Sequence, residues 1–260
     1  MSHSNSIEDI VRLRFYKTHA HQCSYLADRQ ATTLFLDPKQ EITSSLYDFL
    51  SDLGFRRSGQ NLYRPYCENC SACLSSRIPV EAFSPSRQQR KIYNRNQDLQ
   101  VIPQPAHFVD EHYQLYAKYI HQRHPDGDMY PADESQYQGF LVTQKAYAFL
   151  YEFRLHGKLL AVAAVDHLHQ GLSATYTFYD PDPKYQRRSL GTYAILWQLA
   201  YAHQLRLSYV YLGYWIAECR KMAYKSSFYP LEVLRRPHEW VRQDEFIPLS
   251  DLDEDTSWTL

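Results

Sequence analysis

No apolar run in the sequence approaches the roughly 20 residues that a membrane-spanning helix needs. The N-terminal stretch MSHSNSIEDIVRLRFYK holds no signal-peptide core, because charges interrupt every apolar stretch. Both absences predict a cytoplasmic protein with no membrane partner. There is no internal repeat and no low-complexity linker. A net excess of charge is also missing: the formal value is −1. A protein that coats nucleic acid everywhere is therefore excluded, and any phosphate contact must come from a local basic patch. The helix with paired histidines that marks a classical zinc module is absent too.

What is present is concentrated between Gly54 and Arg77, which reads GFRRSGQNLYRPYCENCSACLSSR. Cys67, Cys70 and Cys73 stand two residues apart, a spacing that lets one turn aim two sulfurs at one metal ion. Cys23 supplies a fourth thiol, so a structural zinc or iron–sulfur site at Cys23, Cys67, Cys70 and Cys73 is an expectation, with no cofactor needed for chemistry. Cys219 is left as a free thiol. Arg56, Arg57, Arg64 and Arg77 surround the cluster and imply an anion-binding surface. The 23 Tyr suit a groove for bases or peptides, though most are expected in core and rim.

A composition shift at Pro103 and Pro105 divides the chain into residues 1–104, small and cysteine-bearing, and residues 105–260. Helices are predicted at Thr43–Leu53, Ser86–Asn96, Phe108–Gln122 and Glu134–Val142. On the second, Arg87, Arg90, Lys91 and Arg95 share one broad face. Three strands follow (Ala148–Leu155, Lys158–Asp166, Ser173–Tyr179), then a basic loop with Arg187 and Arg188, a strongly apolar helix Leu190–Gln204 and a strand Leu207–Leu212. That order outlines an α+β, GNAT-like acyltransferase core. In such a core the loop before the helix presents N–H groups to a pyrophosphate. Here Ser189 replaces the first glycine of that loop, which leaves less room for coenzyme A.

Several blocks carry a family resemblance: Cys23–Leu26 (CSYL), Gly54–Gly59 (GFRRSG), Tyr63–Pro65 (YRP), Ser173–Pro181 (SATYTFYDP), Ser189–Gly191 (SLG), Tyr211–Ile216 (YLGYWI) and Met222–Lys225 (MAYK). Together they resemble the bacterial aspartate/glutamate leucyltransferases, relatives of the eukaryotic arginyl-tRNA–protein transferases. The resemblance spans residues 11 to 240. It implies transfer of an aminoacyl group, leucine before arginine, from charged tRNA to a protein N-terminus bearing Asp or Glu.

Such chemistry starts from an activated ester and an amine of ordinary pKa roughly 7.7–8.0, so positioning and oxyanion stabilisation dominate. The expected catalytic residues are Tyr176, Tyr179, Asp180, Ser189 and Lys225. An acidic acceptor calls for a paired cation, so Arg56, Arg57, Arg64 and Arg77, with Tyr211 and Tyr214, are the expected substrate-binding set. Arg87, Arg90, Lys91, Arg95, Arg187 and Arg188 are the expected tRNA contacts. Two alternatives compete: an acyl-coenzyme A donor, and a zinc module that binds nucleic acid without catalysis.

Overall fold

A computed structural model describes residues 13–246. The elements run β1 (Phe15–Lys17), β2 (His21–Gln22), β3 (Gln30–Ala31), β4 (Thr33–Leu36), α1 (Ser44–Asp52), β5 (Arg56–Ser58), β6 (Asn61–Pro65), β7 (Leu74–Pro79) and α2 (Arg87–Arg95). They continue as β8 (Gln100–Pro105), α3 (Asp110–Arg123), α4 (Glu134–Leu141), β9 (Ala148–Leu155), β10 (Lys158–His167), β11 (Gly171–Tyr179), α5 (Leu190–Gln204), β12 (Tyr209–Trp215), β13 (Glu232–Arg236) and β14 (Glu239–Arg242).

Local chemistry sets the helix ends. The Thr43 hydroxyl accepts from the Leu46 N–H at 3.2 Å to start α1. Ser86 and Gln89 bond each other's backbone N–H groups as a capping box at the start of α2.

Eight strands form one mixed sheet in the order β14-β13-β7-β12-β11-β10-β9-β8. Only β11 and β12 pair in parallel; the other neighbours are antiparallel. The run KLLAVAAVDH of β10 is buried along nearly its whole length, as a strand covered on both faces must be. Its alternate residues divide accordingly: Ala161, Ala163 and Val165 join the cluster containing α5, while Val162 and Ala164 join the one containing α1, α3 and α4.

The sheet does not respect the division placed near Pro103. β7, from the cysteine-rich half, lies between β13 and β12, and β8 runs from Gln100 through Pro105 as the edge strand. A separate four-stranded sheet, β1-β4-β6-β5, holds the N-terminal segment. Arg57 of β5 fastens it to the large sheet by bonding Asp166 of β10. The strand expected at Leu207–Leu212 begins two residues later and extends to Trp215. No described helix is long and apolar enough to cross a membrane.

Candidate active site at a splay in the large sheet

β11 and β12 pair at only three positions, Gly171 with Tyr209, Leu172 with Val210 and Ser173 with Tyr211. Beyond Ser173 the two strands run on without pairing, β11 to Tyr179 and β12 to Trp215. A bulge between Tyr211 and Gly213, where Gly213 takes φ +74°, turns β12 away. A splay between parallel strands at their carboxyl ends is where open α/β sheets place ligands.

Three segments converge there. Tyr176 and Tyr179 lie on the part of β11 that pairs with β10 but not with β12. A cavity of about 370 Å³ at its end is lined by Tyr179, Asp180, Tyr185, Ser189, Leu190 and Arg123. The first turn of α5 packs against Tyr179: a Cβ at Gly191 would meet the Tyr179 ring at 3.2 Å. The 3₁₀ segment Arg220–Ser227, packed on β12, brings up Tyr224 and Lys225.

Ser189 adopts the left-handed conformation (φ 49°) and its hydroxyl makes no cap hydrogen bond. A left-handed Ser between two helical segments stores strain, and strain of this kind gathers at functional sites. Its N–H is already bonded to the Gln186 carbonyl at 3.2 Å. The first N–H of α5 to bond back is that of Tyr193, to the Ser189 carbonyl at 2.9 Å. The Leu190, Gly191 and Thr192 N–H groups are therefore free of intrahelical partners, and Leu190 lines the cavity.

Asp180 is buried but fully engaged, accepting from Lys118 at 2.5 Å, Lys158 at 3.1 Å and the Asp182 N–H at 3.1 Å. Burial pushes its carboxyl up, and these bonds outweigh burial and hold it below the ordinary range. It is an anchor for the end of β11 and not a proton acceptor. Burial, and next the neighbouring Tyr119, raise the Tyr176 phenol above its ordinary value.

The four arginines expected to read an acidic acceptor have four different fates. Arg57 is spoken for: its Nε and Nη2 donate to the two Asp166 oxygens at 2.8 Å each, and Nη1 to the Gly59 carbonyl. Tyr47 and Thr175 donate to the same carboxylate. Arg77 is held by Glu232 at 2.7 Å and lies between the rings of Tyr209 and Trp240, at 3.6 and 4.1 Å. Both are committed to structure, so the substrate role expected for them passes elsewhere. Arg64 donates to the Leu53 carbonyl at 3.2 Å and lies over Phe55, with its buried Nε unpartnered.

Arg56 is buried without any acidic partner among the described residues. Nη1 donates to the carbonyls of Ser51 (3.2 Å) and Phe55 (2.6 Å); Nε and Nη2 have no partner. Its guanidinium lies 5.1 Å over the Tyr211 ring, whose hydroxyl donates to Asp52 at 3.2 Å. Lys225 is the second buried cation here, donating to the Tyr214 carbonyl. Burial, then Arg56, push its ammonium down to about 7, with Cys219 opposing. The Tyr214 hydroxyl sits between the carbonyls of Gly54 (3.0 Å) and Tyr63 (3.1 Å) and closes the group. Arg56 and Lys225 are thus two buried basic side chains close enough to repel each other, beside β12.

The basic face of α2 is exposed as expected, and none of Arg87, Arg90, Lys91, Arg95 or Arg187 forms an ion pair with a described residue. Arg188 does: it grips Asp98 through two bonds of 2.8 Å. Arg95 donates to the Arg187 carbonyl and Asn96 to the Arg188 carbonyl, which straps the loop before α5 onto α2. Arg188 is a structural clamp; the other five remain free cations on one side of the cavity.

The cysteines share a neighbourhood. Burial lifts the Cys73 thiol to about 12, and Cys67, Cys23, Cys70 and Cys219 reinforce it. Cys67 bonds the backbone of Thr32, taking its N–H at 3.5 Å and facing its carbonyl at 3.7 Å. Among the described residues, no group of three or more His, Cys, Asp or Glu is placed to hold a metal ion.

Sequence reasoning missed Asp166, Tyr47, Tyr119 and His124. For Asp166 a signal existed: a lone acid ending an apolar strand has to be paired.

Comparison with known proteins follows the same segments. Models of the arginine-tRNA-protein transferase N terminus and C terminus match residues 21–91 and 111–235. An aspartate/glutamate leucyltransferase of Chromohalobacter salexigens is 58% identical over 247 residues, covering 95% of this chain and 98% of its own. One from Pseudomonas aeruginosa PAO1 is 56% identical over 225 residues, covering 86% of this chain and 95% of its own. The crystal structure of FemX superposes with a TM-score of 0.51 over 90% of this chain and 89% of that one, at 9% identity. That likeness is one of fold alone.

Proposed function

The chain belongs to the arginine-tRNA–protein transferase family, and from that premise we propose that it moves leucine from charged tRNA to the α-amine of proteins beginning with Asp or Glu. In the cytoplasm such a product is marked for degradation by an N-degron pathway. The observation that supports the reading is the Arg56–Lys225 pair: two buried basic side chains with no acidic partner among the described residues. Leaving such charges unpaired is costly, and the carboxylate of an acidic N-terminal residue is the group that would offset them. Guanidinium pairing selects a carboxylate over a neutral side chain.

With the acid side chain paired to these two groups, the acceptor amine lies at the splay, where Tyr176 and Tyr179 line the β11 side. The leucyl ester enters the cavity before α5. As the amine adds, charge develops on the ester oxygen, and the free N–H groups of Leu190, Gly191 and Thr192, at the positive end of α5, stabilise it. Ser189 shapes that turn. The unpaired cations Arg87, Arg90, Lys91, Arg95 and Arg187 suit tRNA phosphates. The cysteines support folding, with zinc or an iron–sulfur cluster as the ligand class to seek.

The test is direct. Purified protein is given tRNA charged with labelled leucine or arginine and peptides beginning with Asp, Glu or Ala. Leucine appearing on the Asp and Glu peptides alone supports the reading. Arginine transfer would move the chain to the arginyl branch, and label on no peptide would overturn the proposal.

A further inference from the structure

A file of side chains separate from the Arg56–Lys225 pair leads from the cavity to the protein surface. Tyr179 lines the cavity. Behind it, at 4.8 Å between ring centroids, lies the buried Tyr119. The Tyr119 hydroxyl meets Nε2 of His124 at 3.0 Å, and His124, at the C-terminal cap of α3, is half-buried. We propose that this file is a proton exit, in which His124, acting through Tyr119 and Tyr179, takes the proton lost by the acceptor amine. The inference rests on the transferase reading and adds to it the group that receives the proton.

The step balances. The neutral amine nitrogen bonds the leucyl carbonyl carbon, and the bond from that carbon to the ribose oxygen breaks. The amine proton passes to the Tyr179 oxygen while Tyr179 gives its own proton to Tyr119. Tyr119 gives its proton to His124 Nε2, and the imidazolium sheds a proton to solvent. The ribose oxygen takes its proton from water.

The surroundings suit an acceptor. Arg123 from α3 and Lys221 from the 3₁₀ segment both face the imidazole. Burial first, then these two cations, hold His124 below its ordinary value and so neutral near pH 7. The other groups facing the file are phenols: Tyr176 of β11 and Tyr224 of the 3₁₀ segment adjoin Tyr119. Burial, and next Tyr179, raise the Tyr119 phenol, so it stays protonated as a relay requires.

The experiment uses the full chain with leucyl-tRNA and an Asp peptide, comparing wild type with H124Q, Y119F and the double variant under single turnover at saturation. A positioned acceptor contributes about 100-fold or more, so kcat falls by about that factor in each single variant, with KM for both substrates unchanged. The double variant is no slower than either single one, because one relay is broken once. Imidazole restores H124A, and the acid limb belonging to histidine leaves the kcat profile of H124Q. Wild-type kcat with an unchanged pH profile in H124Q would overturn the relay. So would additive losses with lowered Tm and no imidazole rescue, which mark a packing role. Y119F keeps the ring and decides the matter if H124Q fails to fold. Wild-type protein that transfers nothing overturns the transferase reading, and the relay falls with it.

Discussion

Arg56 and Arg57 are consecutive on β5, both buried, and opposite in every other respect. Arg57 points at β10 and is closed by the two oxygens of Asp166, 109 residues away. Arg56 points to β12 and meets two backbone carbonyls, an aromatic face and Lys225, with no acid at all among the described residues. Side chains of a strand alternate between faces, so one dipeptide serves two ends. One guanidinium is neutralised inside the fold and fastens the small sheet to the large one. The other has no acidic partner among the described residues. A buried charge with its partner is architecture; a buried charge without one is an opening for a ligand.

The sharpest way to break this contrast is to remove the pair. R57M leaves the Asp166 carboxylate buried and unpaired, and loss of one partner of a buried pair costs about 3–5 kcal/mol. We expect denaturant unfolding to show that loss, and a matched R57M/D166L variant to recover most of it. R56M should behave in the reverse manner, holding or gaining stability, because it removes a cation with nothing to pair with. A loss in R56M as large as in R57M would erase the distinction.

Next in size is Cys67, whose sulfur bonds the Thr32 backbone. C67S should lower Tm and solubility, with activity falling in parallel; zinc and iron analysis of the same preparations reads whether an ion contributes. Unchanged Tm would remove the cysteines from the folding account.

A smaller effect belongs to pH. Burial, then Arg56, push the Lys225 ammonium down to about 7, and a bound carboxylate would keep it charged. Binding of an Asp peptide at pH 8 should therefore take up protons, and affinity should fall as pH rises above about 7. Calorimetry in two buffers of different ionisation enthalpy measures the uptake; none would place the carboxylate elsewhere. Smallest is the α2 face: R90A/K91A should weaken tRNA binding and flatten its salt dependence by somewhat under one unit of slope per lost phosphate contact. Wild-type affinity across several salt concentrations would contradict it.

Much of the architecture is legible in the amino-acid sequence. Thr43, Ser86 and the apolar periodicity locate α1 and α2, and the strand–strand–strand–helix–strand order locates the sheet that houses the site. What cannot be read there is whatever depends on distant partners. β7 inserts between β12 and β13 through pairings made across more than a hundred residues, so a boundary drawn at Pro103 cuts through one sheet. The arginines stand out as a group, yet only Asp166 and Glu232, both remote in sequence, distinguish Arg57 and Arg77 from Arg56 and Arg64, which have no acidic partner among the described residues. His124 lies in the polar loop HQRHPDGD, where nothing local announces that its ring reaches Tyr119.

The most direct test of the central claim compares kcat/KM for peptides beginning with Asp and with Asn, in wild type and R56A, using leucyl-tRNA. A charge-assisted pair contributes about 1.5–3 kcal/mol, so the Asp preference should fall by about ten- to a hundred-fold in R56A. That loss should come wholly from the Asp peptide, with tRNA affinity unchanged. An Asp preference that survives intact in R56A would contradict the account.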